Sequence, residues 1–374
     1  MRMADILDYI AWRGDLDFSQ SPLNEVDALI FSQLSYINLN GIATEAFDAG
    51  VITLADCCKK FFCSTGYEDR SNVGMLINKK TVDLLKACGE SRRFGAMVVR
   101  GYVEKIDYEN EEQFCAVTFT FAGKGCKTWS FVTYRGTDDS IVGWKEDFNL
   151  GYMDTVPAQK DAAAYLETAA KYCKGNLFVG GHSKGGNLAL YAASNVCDKV
   201  KKRIVWIFNN DGPGFKKEFF ESENYKSIAE KERSFVPRLS VIGMLFSHSD
   251  SFTTVECGDW NMLMQHDPFT WHLLGTSFIT CSETGRRSRL VDRAVNDWIS
   301  ELSLEERELF IETVFMVLND SKAKTNSELS SNLFESVGRM MKSASKLSPK
   351  TKDAVSKTVQ LLVKSLIEAN FNIN

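Results

Sequence analysis

Five glycines, one of them Gly175, precede or follow a single serine within twelve positions, and the densest part is Gly180-Gly181-His182-Ser183-Lys184-Gly185-Gly186. It follows a short apolar run, Leu177-Phe-Val, and leads into Asn187-Leu-Ala-Leu-Tyr-Ala-Ala-Ser, which reads as a helix. The pattern Gly-x-Ser-x-Gly between a buried strand and a helix describes a sharp turn that presents the serine. Such a turn forces the serine into a strained backbone conformation. It also brings the chain so close to itself that the positions two before and two after must be small. The following helix aims its N-terminus at the serine, where negative charge is stabilised. This feature requires a strand flanked by parallel neighbours, and so it restricts the chain to an α/β architecture.

The surrounding periodicity agrees. Ala96-Met-Val-Val-Arg-Gly-Tyr-Val, Phe114-Cys-Ala-Val-Thr-Phe-Thr-Phe and Thr128-Trp-Ser-Phe-Val-Thr-Tyr are three β-rich runs. The acidic stretch Asp107–Glu112 and the turn at 123–125 join them, which predicts an antiparallel meander at one edge of the sheet. From residue 158 helix and strand alternate: a helix over 158–173, strands over 176–181 and 203–209, and further strands in 234–241 and 252–257. Alternation of this kind builds a parallel sheet with helices on both faces. Residues 1–60 read as helical, with one apolar face over Asp27–Leu39, and Thr81–Cys88 as a further short helix. The expected division is an α/β domain over 1–284 with a helical N-terminal segment, and a helical extension over 285–374. That extension has a capping box at Ser303, a linker over 319–331 and an amphipathic stretch over 351–370.

Composition narrows the function classes. A net charge of −5 with no basic stripe gives no case for nucleic acid. No signal-peptide pattern opens the chain and no stretch of about 18 apolar residues could span a bilayer, so a cytoplasmic setting with its ten cysteines as free thiols is expected. The cysteines show no zinc spacing, and Asp138-Asp139 lacks further ligands around it, so neither a metal nor a cofactor is expected. Trp206, Phe208, Trp260 and Trp271 read as core or pocket wall, and Lys201-Lys202-Arg203 as a solvated helix end.

Tyr134-Arg-Gly-Thr followed by Trp144-Lys-Glu-Asp-Phe, and then the Gly-His-Ser-Lys-Gly-Gly-Asn-Leu-Ala run, resembles the class 3 lipase family of α/β-hydrolases. The resemblance is closer to its bacterial Mbeg1-like branch, which Asn209-Asn-Asp-Gly-Pro-Gly-Phe, Val236-Pro-Arg-Leu-Ser-Val-Ile-Gly-Met-Leu and Gln265-His-Asp-Pro-Phe-Thr-Trp also resemble. It covers about residues 25–275. It implies an α/β-hydrolase fold with a mixed, mostly parallel sheet, and a serine hydrolase acting on carboxylic esters. By the same resemblance Ser183 is the nucleophile, Thr137 holds the oxyanion position with its N–H and hydroxyl, and Lys184 adds its backbone N–H. The segment between Asp138 and Asp154 corresponds to the lid of the lipases, or else to an ordinary exposed loop and helix.

A serine nucleophile needs a base, and there are four histidines. His182 adjoins the serine, and the turn directs it away from the serine's face. His266 follows the last expected strand and comes after the serine in chain order, which makes it the first choice over His248 and His272. The acid departs from the family pattern. Class 3 lipases carry an aspartate just before a Val-Pro pair, where this chain reads Arg233-Ser-Phe-Val-Pro. Asp211, at the end of the preceding strand, is the first alternative. Asp250 is the second, and a Ser-His dyad without a carboxylate is the third. Met244-Leu-Phe and Phe269–Leu274 are expected to line an apolar pocket for the acyl part of a small-molecule or lipid ester. The missing carboxylate leaves a second expectation of another class: a hydrolase fold of little activity that serves as a binding scaffold.

Overall fold

The computed structural model describes residues 3–281 except 74–76, 124–126, 139, 151–152, 241, 250 and 259–263. The expected C-terminal extension, with Ser303, the linker and the amphipathic stretch, lies outside the described residues, as do Asp139, Trp260 and Asp250.

The chain opens with helices α1 (Ile6–Arg13) and α2 (Glu25–Leu34), a two-residue edge strand β1 (Ile52–Thr53), and helices α3 (Leu54–Cys63) and α4 (Lys80–Glu90). Strands β2 (Val98–Asp107), β3 (Glu112–Phe121) and β4 (Trp129–Tyr134) follow. Then α5 (Ile141–Asn149), α6 (Pro157–Tyr172), β5 (Asn176–His182), α7 (Lys184–Asn195), β6 (Ile204–Asn210), β7 (Glu232–Pro237) and β8 (Phe252–Val255) complete the main sheet. A short hairpin, β9 (Leu273–Leu274) and β10 (Ser277–Phe278), stands beside it.

The eight strands lie in sequence order. β1 to β4 pair antiparallel, and β4 to β8 pair parallel. This is a mixed, mostly parallel sheet with an antiparallel edge, the arrangement of an α/β-hydrolase fold. Its winding never reverses direction, and that has a consequence. Right-handed crossovers that always step the same way place their helices on the same face. Accordingly α6 and α7 pack together under one face, where Ala162, Leu166, Leu188 and Ala192 meet Val132, Val179 and Ile207. The opposite face must be covered from elsewhere. Residues 1–95 do so: Leu29, Ile30, Phe31, Phe61, Leu84 and Phe94 pack on the alternate side chains Val117, Phe119, Phe131 and Phe208.

β3 is buried along its whole length because it is covered on both sides. Its odd residues Cys115, Val117 and Phe119 enter the first core, and Phe114 and Ala116 enter the second. Its threonines are satisfied within the sandwich, Thr118 by the Tyr165 hydroxyl at 2.9 Å and Thr120 by Ser130 at 2.9 Å.

α2 is buried from Val26 to Leu34, so it is apolar on most sides and most of its polar groups find partners. Gln33 donates to Thr81 at 2.7 Å, and Asp27 pairs with Arg93. The expected solvated end at 201–203 holds for Lys202, which is exposed, and not for its neighbours. Lys201 is buried and bonds Ser227, and Arg203 reaches the carbonyls of Gly175, Ala170 and Cys173. A cationic fork at the C-terminal end of α6 satisfies carbonyls that have no intrahelical partner.

Candidate active site

The turn after β5 places Ser183 at φ 57° and ψ −136°, a backbone conformation that L-residues rarely adopt. Its N–H donates to the Asn210 carbonyl at 3.0 Å, which ties the turn to the end of β6. The glycines are there for space. A β-carbon on Gly181 would lie 2.2 Å from the Gly185 carbonyl carbon, and one on Gly185 would lie 2.1 Å from the Tyr134 oxygen. The segment after β4 runs across the same turn, because a β-carbon on Gly136 would be 2.9 Å from the Ser183 Cβ. Thr137, next in the chain, is buried. Its hydroxyl donates to Asp147 Oδ2 at 2.5 Å, so that hydroxyl is engaged by the protein. Burial pushes the Asp147 carboxyl up to about 6, with Lys184 and the Thr137 bond opposing the rise.

Lys184 opens α7, and a first-turn N–H has no intrahelical acceptor. Its side chain turns away into the interior. The segment compared above with a lid forms α5, whose Glu146 makes a fully buried ion pair with Lys184 at 2.9 Å.

His266 ends a short turn over Met264–His266, and its Nδ1 lies 2.6 Å from Asp211 Oδ2. Asp211 has no exposure and sits just past β6 at φ 54°, a second strained residue facing the same site. Its N–H donates to the Phe235 carbonyl at 2.8 Å, and its Oδ1 accepts from the Ser240 hydroxyl at 2.6 Å. Gly243 lies against that oxygen so closely that a β-carbon there would be 1.9 Å away. The turn bearing His266 is held on both sides. Leu239 N–H donates to Gln265 Oε1 at 2.8 Å, and Trp271 Nε1 donates to the Gln265 carbonyl at 3.0 Å. Asp267 accepts from the Phe269 N–H at 3.0 Å and from Asn78 at 2.6 Å.

Three residues join the site that the sequence did not single out for it: His182, Tyr36 and Ser240. The His182 ring is buried and lies 4.4 Å from the His266 ring, centre to centre. Its Nε2 is 2.8 Å from the His266 carbonyl, and its Nδ1 is 3.2 Å from the Tyr36 hydroxyl. A carbonyl only accepts, so Nε2 carries the proton, Nδ1 accepts, and Tyr36 donates. Burial first, and His266 second, hold His182 well below the ordinary histidine range, in its neutral form. Far from standing apart, His182 braces the loop that carries His266. Ser240 was equally hidden, because nothing local marks a serine as the partner of a carboxylate 29 positions earlier.

The other histidines stand elsewhere. His248 lines a small cavity with Asn209, Glu232 and Ser249, and burial pushes its imidazole down to about 4. His272 packs against Gly258. The expected apolar pocket is corrected in part: Phe269, Trp271 and Leu273 belong to the core, and Leu274 is exposed. Trp206 is half-buried under the Arg233 guanidinium, 3.5 Å from the ring centre, and Phe208 is core. Among the described residues no cluster of His, Cys, Asp or Glu could hold a metal ion, and no helix is long and apolar enough to cross a membrane.

Comparison with solved structures finds lipases. The chain is similar to the Rhizomucor miehei lipase in its propeptide complex, at 15% identity over 52% of this chain and 64% of that one, with a TM-score of 0.33. It is also similar to M37 lipase, at 14% identity over 75% and 82%, TM-score 0.37. A fungal lipase–inhibitor complex matches at 14% identity over 71% and 88%, TM-score 0.38. This chain thus spans less than two thirds of the Rhizomucor miehei chain. No curated protein matches in sequence. The sequence model of one family, Mbeg1-like, matches residues 88–316, more than half of the chain, and the chain therefore belongs to the Mbeg1-like family.

Proposed function

We propose that the protein is a serine hydrolase of carboxylic esters, with Ser183 as nucleophile, His266 as base and Asp211 as the acid behind it. The observation that carries this reading is the joint placement of the strained Ser183 turn and the His266–Asp211 pair, linked through the His182 ring packed against His266.

Ser240 donates to Asp211 Oδ1, and its own oxygen accepts from the Gly243 N–H at 2.8 Å, so the carboxylate is oriented as an acceptor. Asp211 Oδ2 then accepts a hydrogen bond from the Nδ1–H of His266, which keeps the proton on Nδ1 and leaves Nε2 with its lone pair as the base. In the proposed reaction Ser183 Oγ attacks the acyl carbonyl and its proton passes to His266 Nε2. The oxyanion is held by the N–H groups of Thr137 and Lys184. Collapse breaks the ester bond, and the leaving alkoxide takes the proton from His266. Water, deprotonated by His266, then attacks the acyl-enzyme; the acyl–Oγ bond breaks, Ser183 Oγ takes that proton back from His266, and the acid is released.

The alternative, a binding scaffold, drew its support from the absent carboxylate before Val236-Pro237. The carboxylate bonded to His266 favours the enzyme reading, since a scaffold has no need of that pair beside a strained serine. The test is labelling with a fluorophosphonate probe and peptide mapping. An adduct on Ser183, lost in Ser183→Ala and slowed at least about 100-fold in His266→Ala, is expected. A folded wild type that takes no label and cleaves no p-nitrophenyl ester would return the protein to the scaffold reading.

A further inference from the structure

Lys184 has two ends in different surroundings. Its backbone N–H opens α7 beside Ser183, where the proposed mechanism places the oxyanion. Its side chain has no exposure. The ammonium donates to the Gln113 carbonyl at 2.8 Å, to Gln113 Oε1 at 2.7 Å and to Glu146 Oε2 at 2.9 Å, which uses all three of its protons. Glu146, equally buried, also accepts from the Gln113 N–H at 3.1 Å and the Ala158 N–H at 2.9 Å. One ion pair therefore ties together β3, α5, the first turn of α6 and the first residue of α7.

An apolar pair of similar size could fill this space without the cost of desolvating two charges. What charges add is direction, and the direction here concerns both oxyanion donors. Helix α5 reaches Lys184 through Glu146, and it reaches Thr137 through Asp147, the next residue. Gly143 on the same helix would clash with Thr137 if it had a β-carbon, which would lie 2.9 Å from Thr137 Cγ2 and 3.1 Å from Gln113 Oε1. The helix is thus packed against one donor and ion-paired to the other.

We propose that the Lys184 side chain is a positioning residue: by clamping α5 to the start of α7, it fixes the spacing between the Thr137 and Lys184 N–H groups. This rests on the hydrolase reading above. Oxyanion donors are effective because they stand in place before the charge appears. A displacement of the order of 1 Å costs about 100-fold in rate.

The test uses the full chain with the double variant Lys184→Met/Glu146→Gln, which removes both charges and leaves neither unpaired. Thermal unfolding, amide exchange over α5, Ser183 phosphonylation by the fluorophosphonate probe, and kcat and KM for p-nitrophenyl acetate are measured. A folded variant is expected with KM within about 2-fold of wild type. Its kcat and phosphonylation rate should fall together by about 10- to 100-fold, and α5 should exchange faster. If the double variant does not fold, Glu146→Gln alone is expected to give the same split between kcat and KM. A folded variant with wild-type kcat, a rise in KM alone, or unchanged α5 exchange overturns the proposal while the hydrolase reading stands. A wild type inert to ester and probe overturns that reading, and the proposal falls with it.

Discussion

At the scale of single residues, the site is a directed chain of hydrogen bonds. Tyr36 donates to His182, His182 to the His266 carbonyl, His266 to Asp211, and Ser240 to the same carboxylate. Asparagine at position 211 can offer its N–H to Nδ1 and stabilise the wrong tautomer of His266. Asp211→Asn is therefore expected to lower kcat by about 10³- to 10⁴-fold with little change in the melting temperature, measured on p-nitrophenyl acetate. An intact kcat would show that the carboxylate is not the partner in catalysis. His182 makes a pH prediction. Its imidazole stays neutral when folded and takes up a proton below its ordinary value of 6.5 when unfolded. The unfolded state then binds more protons, so this group's contribution is present above about pH 6.5 and is lost as pH falls below it. Melting curves from pH 8 to 5 should show His182→Gln losing less stability than wild type on acidification.

At the scale of elements, α5 lies where a mobile lid was one of two expectations, and its contacts oppose movement. Opening it would separate Glu146 from Lys184 and leave buried charges without partners, at a cost of about 3–5 kcal/mol. The neighbouring Asp147 works in the opposite sense. Its carboxyl is pushed up from 3.8 to about 6, so between those values the folded state holds a proton that the unfolded state has released. Stability from this group therefore falls as pH rises from about 4 to about 6, and stays level above that. Asp147→Asn removes the cost while keeping an acceptor for Thr137. The variant's gain in melting temperature over wild type should grow across that window and then become constant. A gain of equal size at pH 4 and pH 7 would mean that Asp147 does not titrate there. The same element shows what sequence leaves open: Trp-Lys-Glu-Asp-Phe marks the segment, but only packing distinguishes an anchored helix from an exposed one.

At the scale of the whole molecule, the one-way winding of the sheet decides the role of residues 1–95. They are the second covering layer, without which Val117, Phe119, Phe131 and Phe208 would face water. Arg93 holds that layer together. All five of its guanidinium protons are used, on Asp27 twice and on the carbonyls of Leu16, Ser21 and Pro22. Arg93→Met leaves Asp27 without its counter-charge in a site with no exposure, and should destabilise the fold by about 3–5 kcal/mol in chemical denaturation. A change below about 1 kcal/mol would mean that the layer is held by apolar packing alone.

Much of this architecture was legible in order along the chain. The strand runs around 98, 114, 129, 177 and 204 and the helices around 158 and 187 follow from periodicities of two and 3.6, which adjacent residues impose on each other. The serine turn was legible for the same reason, since steric exclusion between Gly181 and Gly185 is local. What tertiary structure alone decided lies between distant segments. Asp211 meets His266 across 55 positions, Tyr36 meets His182 across 146, and Lys184 meets Gln113 across 71. Those meetings depend on sheet order, on one-way winding and on how two strained residues aim the chain at its turns. Chain order and family resemblance nominated His266 and Asp211, but no local pattern carries the pairings themselves, because each depends on the fold bringing a distant partner within 3 Å or so.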